Sequence, residues 1–271
     1  MKYIIVSKNI ANGKIGNDSA DLGTYFELGW ELIVTRAKLL DMLYSGLATK
    51  DDIIVTDVDR FFLYSSLFDQ CMDYKDFIGL PKNEKSEKVD LVEILITSIL
   101  TNHTSTVQAP DRKLHQLLMK FDYCDLKNFD TSYNFVGLQV RMRDHNPQKN
   151  LPLEFWKEII CLLKKEKINS YVFGRGTEEL KNEATCVGLR EWASLMNNPM
   201  CRSIVGTHSG GMVLGQFCYN GNKMIIIDNT RILQGDNHPL LFGECSQFSL
   251  GKKHFIESVP SPKELVCMIL S

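Results

Sequence analysis

The second half of the chain alternates short apolar runs with amphipathic segments, and this alternation limits the fold more than any other feature. Apolar runs at 135–140, 171–173, 203–206 and 224–227 each have the length of a strand. The segment 153–167 (LEFWKEIICLLKKEK) has helical spacing and follows Pro152. Short links join the runs to the helices, which predicts a parallel sheet with helices on both faces. Ligands bind such sheets at the carboxyl ends of the strands.

The first half shows a weaker version of the same pattern. It contains an apolar run at 3–6, a loop rich in Gly, Asn and Asp at 12–23, a helix that ends near Gly46, a strand at 52–56 and a helix over 88–102. The polar stretch 127–134 separates the two halves. We therefore predict an α/β protein of two Rossmann-like domains, residues 1–134 and 135–271, with a cleft between them.

Charge and cysteine usage exclude several classes of protein. Of the 271 residues, 31 are Lys or Arg and 33 are Asp or Glu, a balance unlike that of nucleic-acid or anionic-membrane binders. The eight cysteines are scattered with no CxxC pair, so we expect them to be reduced. Cys161 and Cys267 lie in apolar runs and are expected to be buried. The sequence has neither a signal-peptide core nor a membrane-length apolar stretch, which favours a soluble, cytoplasmic protein without membrane insertion.

The strongest local motif is SIVGTHSGGM at 203–212, where a strand runs through a glycine-bearing turn into a helix. Backbone N–H groups at such a helix start bind anions, and glycines let a ligand approach closely. The candidate anion-binding residues share this turn: Thr207, His208, Ser209, Gly210, Gly211 and Met212. A strand–helix turn without a ligand is the alternative.

Two further strand ends carry similar chemistry. Arg141 and Arg143 follow the strand at 135–140, and their guanidinium groups suit a diphosphate, although an exposed salt-bridged loop is the alternative. The third strand end is GRGTE at 174–178, which contributes Gly174, Arg175, Thr177 and Glu178 and is expected to start a helix capped by Thr177. Three such ends at one sheet edge predict a nucleoside diphosphate site.

On the basis of QVRMRD at 139–144 and GTHSGG at 206–211, the second half resembles the donor-binding domain of GT-B glycosyltransferases. It is most similar to the fucosyltransferase-related branch, although Gln139 stands where that branch has a histidine. The compact chain also resembles glycosyltransferases of large DNA viruses of algae. The resemblance implies transfer of a sugar from a nucleotide-diphosphate sugar to a glycan or other hydroxyl acceptor. It implies no cofactor and no metal, and no nucleic-acid partner.

Two catalytic hypotheses remain open. In the GT-B interpretation a general base comes from the first domain, and Asp18 and Asp21 in the loop after the first strand are the candidates, although either could cap a helix. In the alternative interpretation, Asp57-Val58-Asp59 resembles the metal-binding Asp-x-Asp motif of GT-A glycosyltransferases. That pair would then hold a divalent cation against the donor diphosphate.

Other classes fit the sequence less well. A sugar epimerase or a nucleotide-binding regulatory protein would share the α/β layers, but the first strand is followed by SKNIANGKIGN and not by GxGxxG. A noncatalytic carbohydrate-binding module usually exposes aromatic side chains, whereas Trp30, Trp156 and Trp192 lie in helical patterns that predict burial. The sequence lacks the GxSxG motif of serine hydrolases.

Overall fold

A computed structural model describes residues 1–7, 32, 35–85, 87–94, 120–142, 147–174, 176–207, 209–219, 223–227, 252–256 and 258–271. The chain divides into two compact units, Met1–Asp122 and Tyr123–Ser271. Each unit is built around a parallel sheet.

In the first unit the strands are β1 (Tyr3–Ile5), β2 (Ile53–Thr56), β3 (Gln70–Asp73) and β4 (Lys88–Asp90). The helices are α1 (Arg36–Tyr44) and α2 (Tyr74–Gly79), with 3-10 turns at Val58–Leu63 and Lys82–Lys85. Among the described residues the sheet order is β3-β2-β1-β4, all parallel. The helix expected over 88–102 starts later than predicted, because residues 88–90 pair with β1 as strand β4 and only 91–94 of its described residues are helical. Residues 95–102 lie outside the described part of the chain.

In the second unit the strands are β5 (Phe135–Gln139), β6 (Asn169–Phe173), β7 (Thr185–Cys186), β8 (Cys201–Thr207), β9 (Lys223–Ile227) and β10 (Lys252–Ile256). The helices are α3 (Leu153–Lys165), α4 (Leu189–Asn197), α5 (Gly210–Cys218) and α6 (Pro262–Leu270). Short 3-10 turns lie at Pro147–Lys149 and Thr177–Leu180. Within the described chain the sheet order is β10-β9-β8-β5-β6-β7, again parallel. Read from the other edge, this is the 3-2-1-4-5-6 order of the Rossmann fold.

Helices cover both faces of the second sheet because its strands are apolar on both sides. Val136, Leu138 and Val140 pack on one face against α3 and α6, where Trp156 is fully buried. On the other face, Gly137 leaves room for Trp192 of α4, since an added Cβ would lie 2.7 Å from the indole ring. The predictions that Trp156 and Trp192 are core residues are therefore confirmed, and Trp30 lies outside the described residues.

The prediction that Cys161 and Cys267 are buried is wrong, because both are exposed. Each lies on the outer face of an amphipathic helix, between apolar neighbours that turn inward. Seven cysteines are free thiols in the part of the chain that the structure describes, and Cys201 and Cys218 are buried. In the same part of the chain, every helix is too short or too polar to cross a membrane.

Candidate functional site

The strand order of the second unit defines where a ligand would bind. The order changes direction between β5 and β8, the neighbouring central strands, with Gln139 paired to Gly206 at their carboxyl ends. In open α/β sheets the crevice beyond such a switch point is the usual ligand site. The turn from β8 to α5 and the segment after β5 both start there. Two of the three predicted strand ends therefore flank the switch point directly, and the third follows β6, on the other side of β5.

Glycines at these strand ends let the three segments pack against one another. A Cβ added at Gly174 would lie 1.8 Å from the Val140 carbonyl oxygen, and one added at Gly206 would lie 2.8 Å from the Gln139 Cβ. A Cβ at Gly211 would lie 2.9 Å from the Gln139 Cγ and from the ring of Phe173. The space at these glycines is thus filled by Gln139, Val140 and Phe173. The glycines shape the site by close packing around the end of β5.

The start of α5 offers backbone donors at the switch point. Ser209 is the N-cap residue, and its carbonyl accepts from the N–H groups of Met212 (3.1 Å) and Val213 (3.0 Å). The N–H groups of Gly210 and Gly211 precede these first helical bonds, as expected for a helix start. The Ser209 side chain makes no capping hydrogen bond. The nine-residue helix therefore directs its first N–H groups and the positive end of its dipole toward the carboxyl edge of the sheet.

Of the seven buried side-chain polar atoms without partners among the described residues, three lie at this edge. Among the described residues, Gln139 Oε1, Thr207 Oγ1 and Ser209 Oγ are buried and make no hydrogen bond. Thr207 is completely buried at the last position of β8. A buried polar group without a partner typically costs about 1–3 kcal/mol, so its presence in a folded protein calls for an explanation. Unpartnered polar atoms at a strand end of this kind are typical of a site whose ligand supplies the missing hydrogen bonds.

Arg141 brings a buried positive charge to the same edge. It is 5% exposed, so the alternative of an exposed salt-bridged loop does not apply to it. Its Nη1 donates to Asn150 Oδ1 at 2.7 Å, which fixes the guanidinium next to the 3-10 turn at Pro147–Lys149. Met212 is also fully buried, and its sulfur would lie 2.9 Å from a Cβ at Gly206. Its side chain therefore packs inside the fold.

The third strand end differs from its prediction. The expected helix is a 3-10 turn over Thr177–Leu180, and its N-cap is Gly176 in a left-handed conformation. Thr177 does not cap it, because the Thr177 hydroxyl donates to the Gly174 carbonyl at 3.1 Å. Glu178 is exposed in the first turn. Four residues form too short a helix for a strong dipole, so this end supplies shape more than charge.

Trp192 of α4 contacts both the end of β6 and the start of α5. Its ring stacks on Phe173 with a centroid distance of 5.5 Å, and its Nε1 donates to the Gly211 carbonyl at 3.3 Å. Sequence reasoning assigned Trp192 only to the core, since the contact joins residues distant along the chain. Asn150 and the orphaned Gln139 oxygen were missed for the same reason. A polar residue that ends a fully buried strand, such as Gln139, was the one available signal.

Several predicted site residues lie outside the described part of the chain. They are Asp18, Asp21, Arg143, Arg175 and His208. Their assignments stay predictions.

In the first unit, Asp57 forms a local ion pair at the end of β2. Its Oδ2 lies 3.7 Å from Arg60 Nε, and Arg60 Nη1 donates to Ser7 Oγ at 2.9 Å. Burial, partly offset by Arg60, raises the pKa of Asp57 above its ordinary value, and the carboxylates of Asp59 and Asp73 act in the same direction. Asp59 is exposed. In the described residues, groups of three side chains suited to a metal ion are absent.

Fold and topology together define an α/β protein of two Rossmann-like domains, the GT-B type of architecture. The chain is similar over its whole length to an ADP-heptose lipopolysaccharide heptosyltransferase II of E. coli (TM-score 0.56, 11% identity, 100% of this chain and 99% of that one). It is equally similar to a family 9 glycosyl transferase of Veillonella parvula (TM-score 0.55, 12% identity, 99% and 97%). Another E. coli heptosyltransferase, solved with ADP, gives a TM-score of 0.52 at 12% identity (99% and 98%).

The sequence matches no protein-family model, and no curated protein matches it. At these low identities the structural likeness concerns the fold. The three structures are not fucosyltransferases, so the resemblance to that branch and to viral enzymes stays a prediction.

Proposed function

We propose that the protein is a glycosyltransferase that takes a sugar from a nucleotide-diphosphate sugar and transfers it to a hydroxyl of a glycan or other acceptor. Residues 135–271 bind the donor, and residues 1–134 face the acceptor. The observation that carries the proposal is the group of unpartnered polar atoms at the β5–β8 switch point, next to the start of α5. We place its action in the cytoplasm, because its scattered cysteines without a CxxC pair favour a reducing compartment.

The chemistry of this site suits a leaving diphosphate. The glycosidic bond forms as the bond to the diphosphate breaks, and negative charge grows on the phosphate oxygens. N–H groups at the start of α5 and the hydroxyls of Thr207 and Ser209 can donate to those oxygens. The guanidinium of Arg141, with Arg143, adds positive charge. Because these donors belong to the protein, the proposed transfer needs neither a metal nor another cofactor.

The acceptor hydroxyl loses its proton as the glycosidic bond forms, and a transfer that inverts the sugar needs a base of the enzyme to take that proton. A carboxylate from the first domain is the proposed base, with Asp18 and Asp21 as candidates. The alternative, a cation held by Asp57 and Asp59, is less favoured than this metal-independent proposal. The Asp57 carboxylate is paired with Arg60, and Asp59 is exposed to solvent.

Nucleotide binding by two matched variants tests the proposal. Thr207→Val removes a buried unpartnered hydroxyl at the carboxyl end of β8, and Ser203→Ala removes another nearer the amino end of the same strand. We expect ADP, GDP, UDP or CDP to raise the melting temperature, since a ligand that binds only the folded state stabilises it. Thr207→Val should weaken that binding about five- to tenfold, and Ser203→Ala should not change it.

Ser203→Ala shows whether loss of a buried hydroxyl from β8 affects nucleotide binding through folding alone. Both substitutions remove an unsatisfied polar atom, so both variants should fold at least as stably as the natural protein. Equal affinity of the two variants for the nucleotide would contradict a site at the end of β8. With water as the acceptor, hydrolysis of the matching nucleotide sugar releases the nucleoside diphosphate. This release should be slower in Thr207→Val than in Ser203→Ala.

A further inference from the structure

The side chain of Gln139 is held in one orientation at the centre of the candidate site. It is 4% exposed, and its Nε2 donates to the Val140 carbonyl at 3.1 Å. A carbonyl oxygen can only accept, so the amide nitrogen must face it and Oε1 must face the other way. Oε1 is therefore fixed as an acceptor, and among the described residues it has no donor.

Three elements make room for this amide. A Cβ at Gly206 of β8 would lie 3.0 Å from Gln139 Oε1, and one at Gly211 of α5 would lie 2.9 Å from Gln139 Cγ. At Gly174, after β6, an added Cβ would lie 3.4 Å from Gln139 Nε2. An apolar side chain would fill this space without leaving a polar atom unsatisfied. Packing alone therefore does not explain a glutamine here, because its unpartnered oxygen destabilises the fold.

The orphaned oxygen needs a donor that a diphosphate does not have. Phosphate oxygens at neutral pH accept hydrogen bonds, and they suit Thr207, Ser209 and the start of α5. An amide oxygen instead requires an N–H or O–H group. In a nucleotide sugar, the groups next to the diphosphate are the ribose and the transferred sugar, and both carry hydroxyls.

From this we infer that Gln139 is a specificity-determining residue whose Oε1 accepts a hydrogen bond from a ligand hydroxyl adjacent to the diphosphate. The inference rests on the proposed function and adds the requirement for a hydroxyl-bearing ribose or sugar. The site thereby distinguishes a nucleotide sugar from pyrophosphate. It also distinguishes ligands that keep this hydroxyl from those that have lost it.

Calorimetric titration of the full chain tests the inference with five kinds of probe. They are inorganic pyrophosphate, the ribonucleoside diphosphates of adenine, guanine, uracil and cytosine, their 2′,3′-dideoxy forms, and the glucose conjugates of both. Gln139→Met keeps the length of the side chain and removes the acceptor, and Ser203→Ala is the control.

If the hydroxyl belongs to the ribose, the natural protein should bind dideoxy forms about five- to tenfold more weakly, and Gln139→Met should bind both forms alike. If it belongs to the sugar, the glucose conjugate should gain a similar factor that Gln139→Met abolishes.

Each outcome decides a different claim. Equal affinity of the natural protein for ribo, dideoxy and glucose-bearing probes overturns the inference, even if Gln139→Met does not fold, and leaves the proposed function standing. An equal loss for every probe in Gln139→Met, pyrophosphate included, also overturns it, because a purely structural role would act on the whole site. Binding of none of the probes would refute the proposed function together with the inference.

Discussion

Replacing Gly174 by alanine is the sharpest structural test of how the candidate site is built. Gly174 has φ +135°, a conformation that side-chain-bearing residues rarely adopt, and an added Cβ would lie 1.8 Å from the backbone oxygen of Val140. The backbone conformation alone costs about 1–3 kcal/mol. Relieving the contact requires movement of the main chain, which adds about 1–3 kcal/mol as overpacking does elsewhere. We expect Gly174→Ala to lower the free energy of unfolding by about 3 kcal/mol or more.

Gly188→Ala is the matched control in the same unit. Gly188 has an ordinary φ of −76°. Its added Cβ would meet only the tip of the Glu191 side chain, which can turn away. The expected cost is about 1 kcal/mol or less, as for other changes at a helix N-cap. Trp156 and Trp192 are buried in this unit, so urea unfolding followed by tryptophan fluorescence measures both variants.

The same substitution should affect ligand binding. A displaced Val140 carbonyl would release Gln139 Nε2, its hydrogen-bond partner. Nucleotide affinity should therefore fall in Gly174→Ala and persist in Gly188→Ala. Equal unfolding free energies for the two variants would show that the strand ends do not pack as closely as described.

Three further predictions concern charge. Because burial raises the pKa of Asp57 above its ordinary value of 3.8, the stability linked to the protonated carboxyl is lost as pH rises through the raised pKa. Asp57→Asn should thus be more stable than the natural protein at pH 7, and urea titrations should show the difference disappearing below about pH 4. Transfer should continue in excess EDTA, whereas complete loss rescued only by a divalent cation would favour the metal-dependent alternative. Arg141→Lys keeps the charge but loses the guanidinium, whose Nη1 donates to Asn150, so calorimetry should show nucleotide affinity reduced about tenfold, and an unchanged affinity would remove Arg141 from the site.

The strands that the sequence predicts and the strands that it misses differ in their place in the sheet. β5, β6, β8 and β9 read as apolar runs because neighbours on both sides and helices on both faces bury them. Among the described residues, the missed strands β3, β4, β7 and β10 all lie at sheet edges. Their sequences, such as QCMD in β3 and KKHFI in β10, carry more polar residues, as is typical of strands that pair on one side only in the part of the chain that the structure describes.

The candidate site also has a part that the sequence predicts and a part that it does not. The β8–α5 turn was predictable, because its strand, glycines and hydroxyls follow one another along the chain. The packing of Gln139 between Gly206 and Gly211 and the support of Gly211 by Trp192 join distant residues. The prediction of a helix capped by Thr177 was wrong, and a 3-10 turn forms there instead. The Thr177 hydroxyl donates to the Gly174 carbonyl, so it is not available as a cap.

A crystal structure of the protein soaked with the nucleoside diphosphate that stabilises it most would test the central claim directly. The account predicts the diphosphate at the carboxyl ends of β5 and β8, accepting from the N–H groups of Gly210 and Gly211 and from the hydroxyls of Thr207 and Ser209. The orphaned polar atoms of this edge should then have partners. A nucleotide bound only beside Asp57 and Asp59, with the start of α5 empty, would contradict it.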